Sequence, residues 1–133
     1  MRAFLCAVGC LAIMSPAQAQ QRFGEICEGT ETIKVGDAAP LVAPYSLNVS
    51  IDLLTGYYCY AQCLPEQTYR ISNRVSKPII LTKLGGEQPR QLSFDRETAV
   101  LLDHQIISVF TRVERTAQAT CKAAPFHKPM PTS

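Results

Sequence analysis

The clearest pattern along the chain is an unbroken alternation of apolar and polar residues from Tyr45 to Leu53. Alternation with a period of two predicts a β-strand that packs one face on a core and exposes the other to water. Strands of this kind are typical of antiparallel sheets, because strands of parallel sheets are usually buried on both faces.

Further short apolar segments recur between turn signals, and Gly85-Gly86 is a hairpin signal between two of them. The additional predicted strands are Thr32–Val35, Pro78–Leu84, Leu92–Phe94, Thr98–Leu102, Ile106–Val113 and Thr116–Cys121. The segment from Glu97 to Gln105 is also compatible with a helix, but helical periodicity is poor elsewhere. The pattern therefore predicts an all-β domain, a small antiparallel sandwich or barrel stapled by disulfides.

The first nineteen residues have the layout of a secretory signal peptide, with Arg2 before a short apolar run. Small residues at Ala17 and Ala19 predict cleavage before Gln20. A short buried or membrane-resident helix is one alternative, and a lipid-modified Cys10 is another. We thus expect a signal peptide at 1–19 and one domain at 20–133. Both ends of that domain, 20–25 and a tail from about 125, are expected to be loose.

Composition narrows the classes of function. The chain has 133 residues, of which 47% are hydrophobic and 18% charged, with 13 Lys and Arg against 11 Asp and Glu. The hydrophobic content excludes a chain that is a disordered tail as a whole. The near-neutral charge gives no electrostatic argument for a nucleic-acid partner. Arg2 is the one charged residue in 1–19. After Gln20 no apolar run is long enough to form a transmembrane segment. The partner is expected to be a protein or an envelope component.

Cleavage after residue 19 leaves four cysteines, Cys27, Cys59, Cys63 and Cys121. An even number of cysteines in an exported chain predicts disulfides, and a periplasmic or secreted location supplies the oxidising conditions. Of the three pairings, we favour Cys27 with Cys121 and Cys59 with Cys63. A metal or redox site at Cys59 and Cys63, with His104 and His127 as further zinc ligands, is the alternative. No cofactor and no metal are expected.

Candidate chemistry is sparse. His104 and Asp95 would need to lie in a pocket to serve catalysis, and no nucleophile elbow, zinc-protease motif or phosphate loop occurs. We therefore expect no enzyme. The residues chosen as a candidate binding surface are the tyrosines around Cys59, which are Tyr57, Tyr58 and Tyr60, together with Arg96, because tyrosine and arginine are enriched at recognition surfaces.

Two resemblances follow from these features. The strand ending in Ile51-Asp52-Leu53, the segment Phe94-Asp95-Arg96 and the final Cys121 resemble a group of small exported bacterial proteins without assigned function. Size, export and strand count are also similar to periplasmic lysozyme inhibitors of the MliC type, which are small disulfide-bonded β-barrels. Those inhibitors carry a Ser-Gly-x-Arg/Lys-Tyr motif. The segment Thr55-Gly56-Tyr57-Tyr58 resembles this motif but lacks its basic residue. The function expected is non-catalytic binding or envelope association, with lysozyme inhibition or, less strongly, metal carriage as alternatives.

Overall fold

The computed structural model describes residues 21–85 and 89–132, so the predicted signal peptide, Cys10 and Gly86 lie outside the described residues. Eight β-strands account for most of the described chain, and one turn of 3-10 helix lies at Pro65–Gln67. The strands are β1 Arg22–Val35, β2 Leu41–Asp52, β3 Tyr57–Tyr60, β4 Thr68–Arg70, β5 Ile79–Thr82, β6 Arg90–Asp95, β7 Val100–Ser108 and β8 Arg112–Ala124.

All eight strands form one antiparallel sheet in the order β4-β3-β2-β1-β8-β7-β6-β5, which curls into a nearly closed barrel. The chain just after β4 brings the two edges together. Ser72 N donates to Leu81 O at 2.9 Å, and Asn73 N donates to Ile80 O at 2.8 Å. This near-closure shortens the exposed sheet edges that otherwise invite aggregation. The prediction of an all-β sandwich or barrel with disulfides is thus confirmed.

The barrel has walls of unequal height. Strands β2, β1, β8 and β7 have 9 to 14 residues and form a tall wall, whereas β3 to β6 have 3 to 6 residues and form a short wall. The hairpin turns at 36–40 and 109–111 therefore lie beyond the rim of the short wall. We call this end of the barrel the mouth, and the end bearing the turns 53–56, 71–78 and 96–99 the apolar end.

The core fills the apolar end, and alternation of the strands supplies it. Along β2, Val49 and Ile51 point inward and are fully buried, as the pattern from Tyr45 to Leu53 predicts. Phe23 of β1 stacks on Phe94 of β6 with ring centroids 5.8 Å apart. Other fully buried side chains of this core are Leu81, Leu92 and Leu101.

Two disulfides staple the sheet, and both favoured pairings are confirmed. Cys27 and Cys121 are directly opposite each other on β1 and β8, with Cα atoms 4.0 Å apart and a sequence separation of 94. Cys59 and Cys63 close a loop at the end of β3. These bonds are consistent with an oxidising extracytoplasmic compartment.

Several predicted boundaries differ from the observed ones. The segment Ile106–Val113 is wrong as one strand, because the turn at 109–111 divides it between β7 and β8. The N-terminal segment is wrong as a loose end, because β1 begins at Arg22 and pairs with strands on both sides. A helix within 97–105 is also wrong, since β7 occupies its second half.

The C-terminal segment has no regular secondary structure but is attached to the barrel. His127 N donates to Ser50 Oγ at 3.0 Å, and Met130 N donates to Thr68 Oγ1 at 3.1 Å. Pro129 is buried. The tail therefore crosses the outside of β2, β3 and β4, where it covers the Cys59–Cys63 disulfide.

Candidate functional site at the barrel mouth

The four residues predicted as a binding surface do not form one surface. Tyr58 is fully buried and, with Tyr60, points into the barrel, where the two rings make an edge contact at 5.5 Å. Tyr57 points outward beside the guanidinium of Arg70. Arg96 lies on the β6–β7 turn, with its guanidinium 4.8 Å from the ring centre of Phe23 at the apolar end.

The structure instead gathers polar side chains inside the mouth, around the pair of Arg90 on β6 and Asp103 on β7. Arg90 Nε donates to Asp103 Oδ1 at 2.8 Å, and Arg90 Nη2 donates to Oδ2. Tyr45 on β2 donates its hydroxyl to the same Oδ2 at 2.7 Å. Both ions are shielded from water, so the pair is stable only because each partner neutralises the other.

The network continues toward the core through two tyrosines. Arg90 Nη1 donates to the hydroxyl of Tyr60 at 3.0 Å, and Tyr60 donates to the hydroxyl of Tyr58 at 3.4 Å. Burial raises the pKa of Tyr45, Tyr58 and Tyr60 above that of free tyrosine. Burial lowers the pKa of Arg90, but its hydrogen bonds to Asp103 outweigh this and the net shift is upward. The tyrosines therefore stay neutral and Arg90 stays charged.

A second ion pair lies higher on the tall wall. Arg115 of β8 donates through Nη2 to both carboxylate oxygens of Glu31 on β1, at 2.7 and 2.8 Å, and through Nε at 3.2 Å. The hydrogen bond with Glu31 raises the pKa of Arg115. Glu31 is buried whereas Arg115 is partly exposed, so this pair faces the opening.

Between the two pairs lies a cavity of about 330 Å³. Its polar wall is formed by the two ion pairs, Tyr45 and Gln105, and its apolar wall includes Pro44, Leu47 and Ala117. No described residue accepts a hydrogen bond from the side-chain amide of Gln105 or from Nη1 of Arg115. These two groups are available to a ligand, while the ion pairs hold the walls in place.

The alternative metal site is not assembled. Cys59 and Cys63 are joined as a disulfide, so neither sulfur is a thiolate that could bind zinc. His104 Nε2 instead lies 2.9 Å from Glu114 Oε1 on the outer face of the barrel. Within residues 21–85 and 89–132, no three His, Cys, Asp or Glu side chains converge as a metal-binding group.

No helix in the described part of the chain has the length and hydropathy needed to cross a membrane. No protein-family model, curated protein or solved structure matches the chain.

Proposed function

We propose that this protein is an exported, non-catalytic binding protein whose ligand site is the cavity at the barrel mouth. The observation that carries the proposal is the pairing of charges in its wall, because Arg90 with Asp103 and Arg115 with Glu31 leave the wall without net charge. The volume of about 330 Å³ falls within the range of small-molecule sites.

The ligand class follows from this wall. An anion attracted to Arg115 would be repelled by Glu31 beside it. A cation attracted to Glu31 would be repelled by Arg115 in the same way. A neutral molecule rich in hydroxyl groups has no such conflict, and it can hydrogen-bond the Gln105 amide while its C–H faces pack on Leu47 and the ring of Tyr45. We therefore assign neutral saccharides as the ligand class.

The proposed role is binding and not catalysis because the acids in the cavity have other partners. Both oxygens of Glu31 accept hydrogen bonds from Arg115, and both oxygens of Asp103 accept them from Arg90, with Tyr45 as a third donor. A general acid or base must be able to reach the substrate proton. Clamped carboxylates are poorly placed for this.

An NMR titration tests the ligand class. Maltose and N,N′-diacetylchitobiose should shift the backbone amide signals of Glu31, Gln105 and Arg115, while glucosamine and glucuronate at equal concentration should not. Gln105→Ala should weaken binding about fivefold, the effect of one lost hydrogen bond. Gln118→Ala, on the exposed outer face of β8, is the matched control. Shifts outside the mouth, or none with either neutral sugar, would refute the assignment.

Export to the periplasm or the exterior is part of the proposal, and the two disulfides support it. The intact mass of the exported protein tests it directly. A chain that begins at Gln20, with no thiol available before reduction, is the expected result. A chain that retains residues 1–19 would contradict export, and a lipid on Cys10 would contradict cleavage before Gln20.

Lysozyme inhibition is a second candidate, favoured by a groove of about 570 Å³ beside Gly56 and Tyr57. Arg74 from another loop lines this groove, where its Nη1 donates to Leu53 O at 3.1 Å. Its presence supports this candidate, because the sequence motif itself lacks a basic residue. Lysozyme turnover should fall with added protein and recover with Arg74→Ala. Unchanged turnover at micromolar protein would remove this candidate.

A further inference from the structure

The mouth carries an apolar surface that the proposed sugar site does not use. It consists of the tips of two adjacent hairpins, β1–β2 and β7–β8. Their exposed apolar side chains are Val35, Leu41, Val42, Ile107, Val109 and Phe110. We call this set the apolar cap. Phe110 is fully exposed, and Val109, Val42 and Leu41 are 75%, 73% and 66% exposed.

The two tips form one continuous unit. Gly36 N donates to Arg112 O at 2.9 Å, and Val35 is opposite Val113 in the β1–β8 register. The cap residues lie within about three residues of the ends of the hairpins, a depth of roughly 10 Å. The cap is therefore the outermost part of the tall wall.

Apolar side chains of the cap point to both faces of the two hairpins. Leu41 and Val42 are neighbours on one strand and so point to opposite faces of the sheet, while Val109 and Phe110 lie in the turn itself. A protein docked on one face would cover only part of the set. An apolar medium entered end-on would cover all of it.

Area and edge chemistry also argue against a second protein chain. A stable interface needs about 800 Å² from each partner, and the six cap side chains are divided between two sheet faces and a turn, so no one face presents them all. The free edge of β2 above β3 contains Pro44, which has no N–H for strand addition. Neither route offers a partner chain a sufficient surface.

Charged side chains at the same level as the cap identify the kind of apolar medium. Lys34 is opposite Glu114 in the β1–β8 register, Arg112 Nη2 lies 3.7 Å from Glu114 Oε2, and Asp37 occupies the β1–β2 turn. The basic and acidic residues of this set are equal in number, so their formal charges cancel. The set is compatible with the polar headgroups of a lipid surface and gives no strong preference for anionic ones.

We propose that the apolar cap inserts end-on into the interfacial region of a lipid bilayer and holds the barrel mouth at the membrane surface. Amphipathic segments enter this region to about 5–10 Å, which matches the depth of the cap. Asp37, in the β1–β2 turn, then enters the interfacial region together with the cap. The inference rests on the proposed function only for export, because it uses different side chains from the sugar site.

The test exploits the absence of tryptophan from the chain. Phe110→Trp places a single fluorophore in the cap, and Val75→Trp, at an 85% exposed position on the opposite end, is the matched control. Both exported variants are mixed with phosphatidylcholine vesicles, with and without phosphatidylglycerol and with brominated acyl chains. The emission of the Phe110→Trp variant should shift to the blue and be quenched by bromine, whereas the emission of the Val75→Trp variant should not change.

Partition measured by vesicle flotation gives the magnitude. Phe110→Ser should lower the partition coefficient about tenfold or more, given the transfer free energy of a phenylalanine side chain, while Val75→Ser leaves it unchanged. Salt should change it less than about twofold. Asp37→Asn should raise it severalfold.

Three results would overturn the inference. One is the absence of a blue shift with any vesicle, and another is binding that requires anionic lipid and disappears in salt. The third is a blue shift of the Phe110→Trp variant that grows with protein concentration without vesicles, which would identify the cap as a contact between copies of this chain. Loss of vesicle binding with intact sugar binding would refute the cap alone, and the reverse would refute the sugar site alone.

Discussion

The two ends of this barrel are built from the same strands but stabilised in different ways. At the apolar end, inward positions are held by packing of Phe23, Ile51 and Phe94. At the mouth, inward-facing positions further along the strands are occupied by Glu31 and Asp103, and each carboxylate forms an ion pair with one arginine. A single alternating pattern can therefore form an apolar core at one end of a strand and the wall of a polar cavity at the other, where the strand extends past its neighbours.

The largest effect is expected from the disulfide between β1 and β8. Replacing Cys27 and Cys121 together with alanine should lower the free energy of unfolding by about 4–5 kcal/mol, because the unfolded chain regains the freedom of a very long loop. The pair Cys59 and Cys63, replaced in the same way, should cost about 2 kcal/mol. Urea unfolding of the two double variants measures both values, and equal losses would contradict the loop-length account.

The next largest effect is expected at the mouth from Asp103→Ala. This change leaves the Arg90 guanidinium shielded from water without its counter-ion, at a cost of about 3–5 kcal/mol. Replacing both partners, Arg90→Met with Asp103→Leu, should recover most of that loss. Chemical denaturation distinguishes the cases, and a double variant as unstable as Asp103→Ala would show that the pair is not the cause.

At the apolar end, Asp52 should make stability depend on acidity. Burial raises its pKa, but hydrogen bonds from Thr55 and Arg22 outweigh this, and the net shift is downward. A carboxyl group whose pKa is lower in the folded state stabilises the fold above its unfolded pKa of about 3.9 and loses that contribution as the pH falls. Asp52→Asn should therefore flatten the acid side of the stability profile. An unchanged profile between about pH 2 and pH 5 would contradict this role.

A smaller effect is expected from Tyr45→Phe, which removes only the hydroxyl that donates to Asp103. The loss should be about 1 kcal/mol, the usual net contribution of one hydrogen bond. Ser46→Ala, on the outward face of the same strand, is the control and should change stability by less than about 0.5 kcal/mol. Thermal unfolding of both variants measures the difference, and equal losses would show that the hydroxyl adds nothing.

Sequence reasoning succeeded where alternation is long and failed where structure depends on distant pairing. The pattern from Tyr45 to Leu53 predicted most of β2, because one buried face imposes a period of two. Strands β3 and β4 have only 4 and 3 residues, too few for a pattern to be recognised. The β7–β8 turn was missed because the segment 108–111 contains neither glycine nor proline.

The mouth residues were missed for a related reason. Arg90 is in phase with Leu92 and Phe94, and Asp103 is in phase with Leu101, so each occupies an inward position of its strand. A charged residue in phase with an apolar face was the available signal. Its partner depends on which strands become neighbours, and strand order is not encoded in local periodicity.

In the account proposed here, the apolar end stabilises the fold and the mouth binds the ligand. Leu101 and Gln105 test this division most directly, because both lie on the inner face of β7. Leu101 is in the core of the apolar end, and Gln105 lines the cavity at the mouth. Leu101→Ala should cost about 2–5 kcal/mol of stability and leave the affinity for maltose or N,N′-diacetylchitobiose unchanged. Gln105→Ala should cost less than about 0.5 kcal/mol and weaken sugar binding about fivefold. If both variants lose stability and binding in parallel, the division between the two ends is wrong.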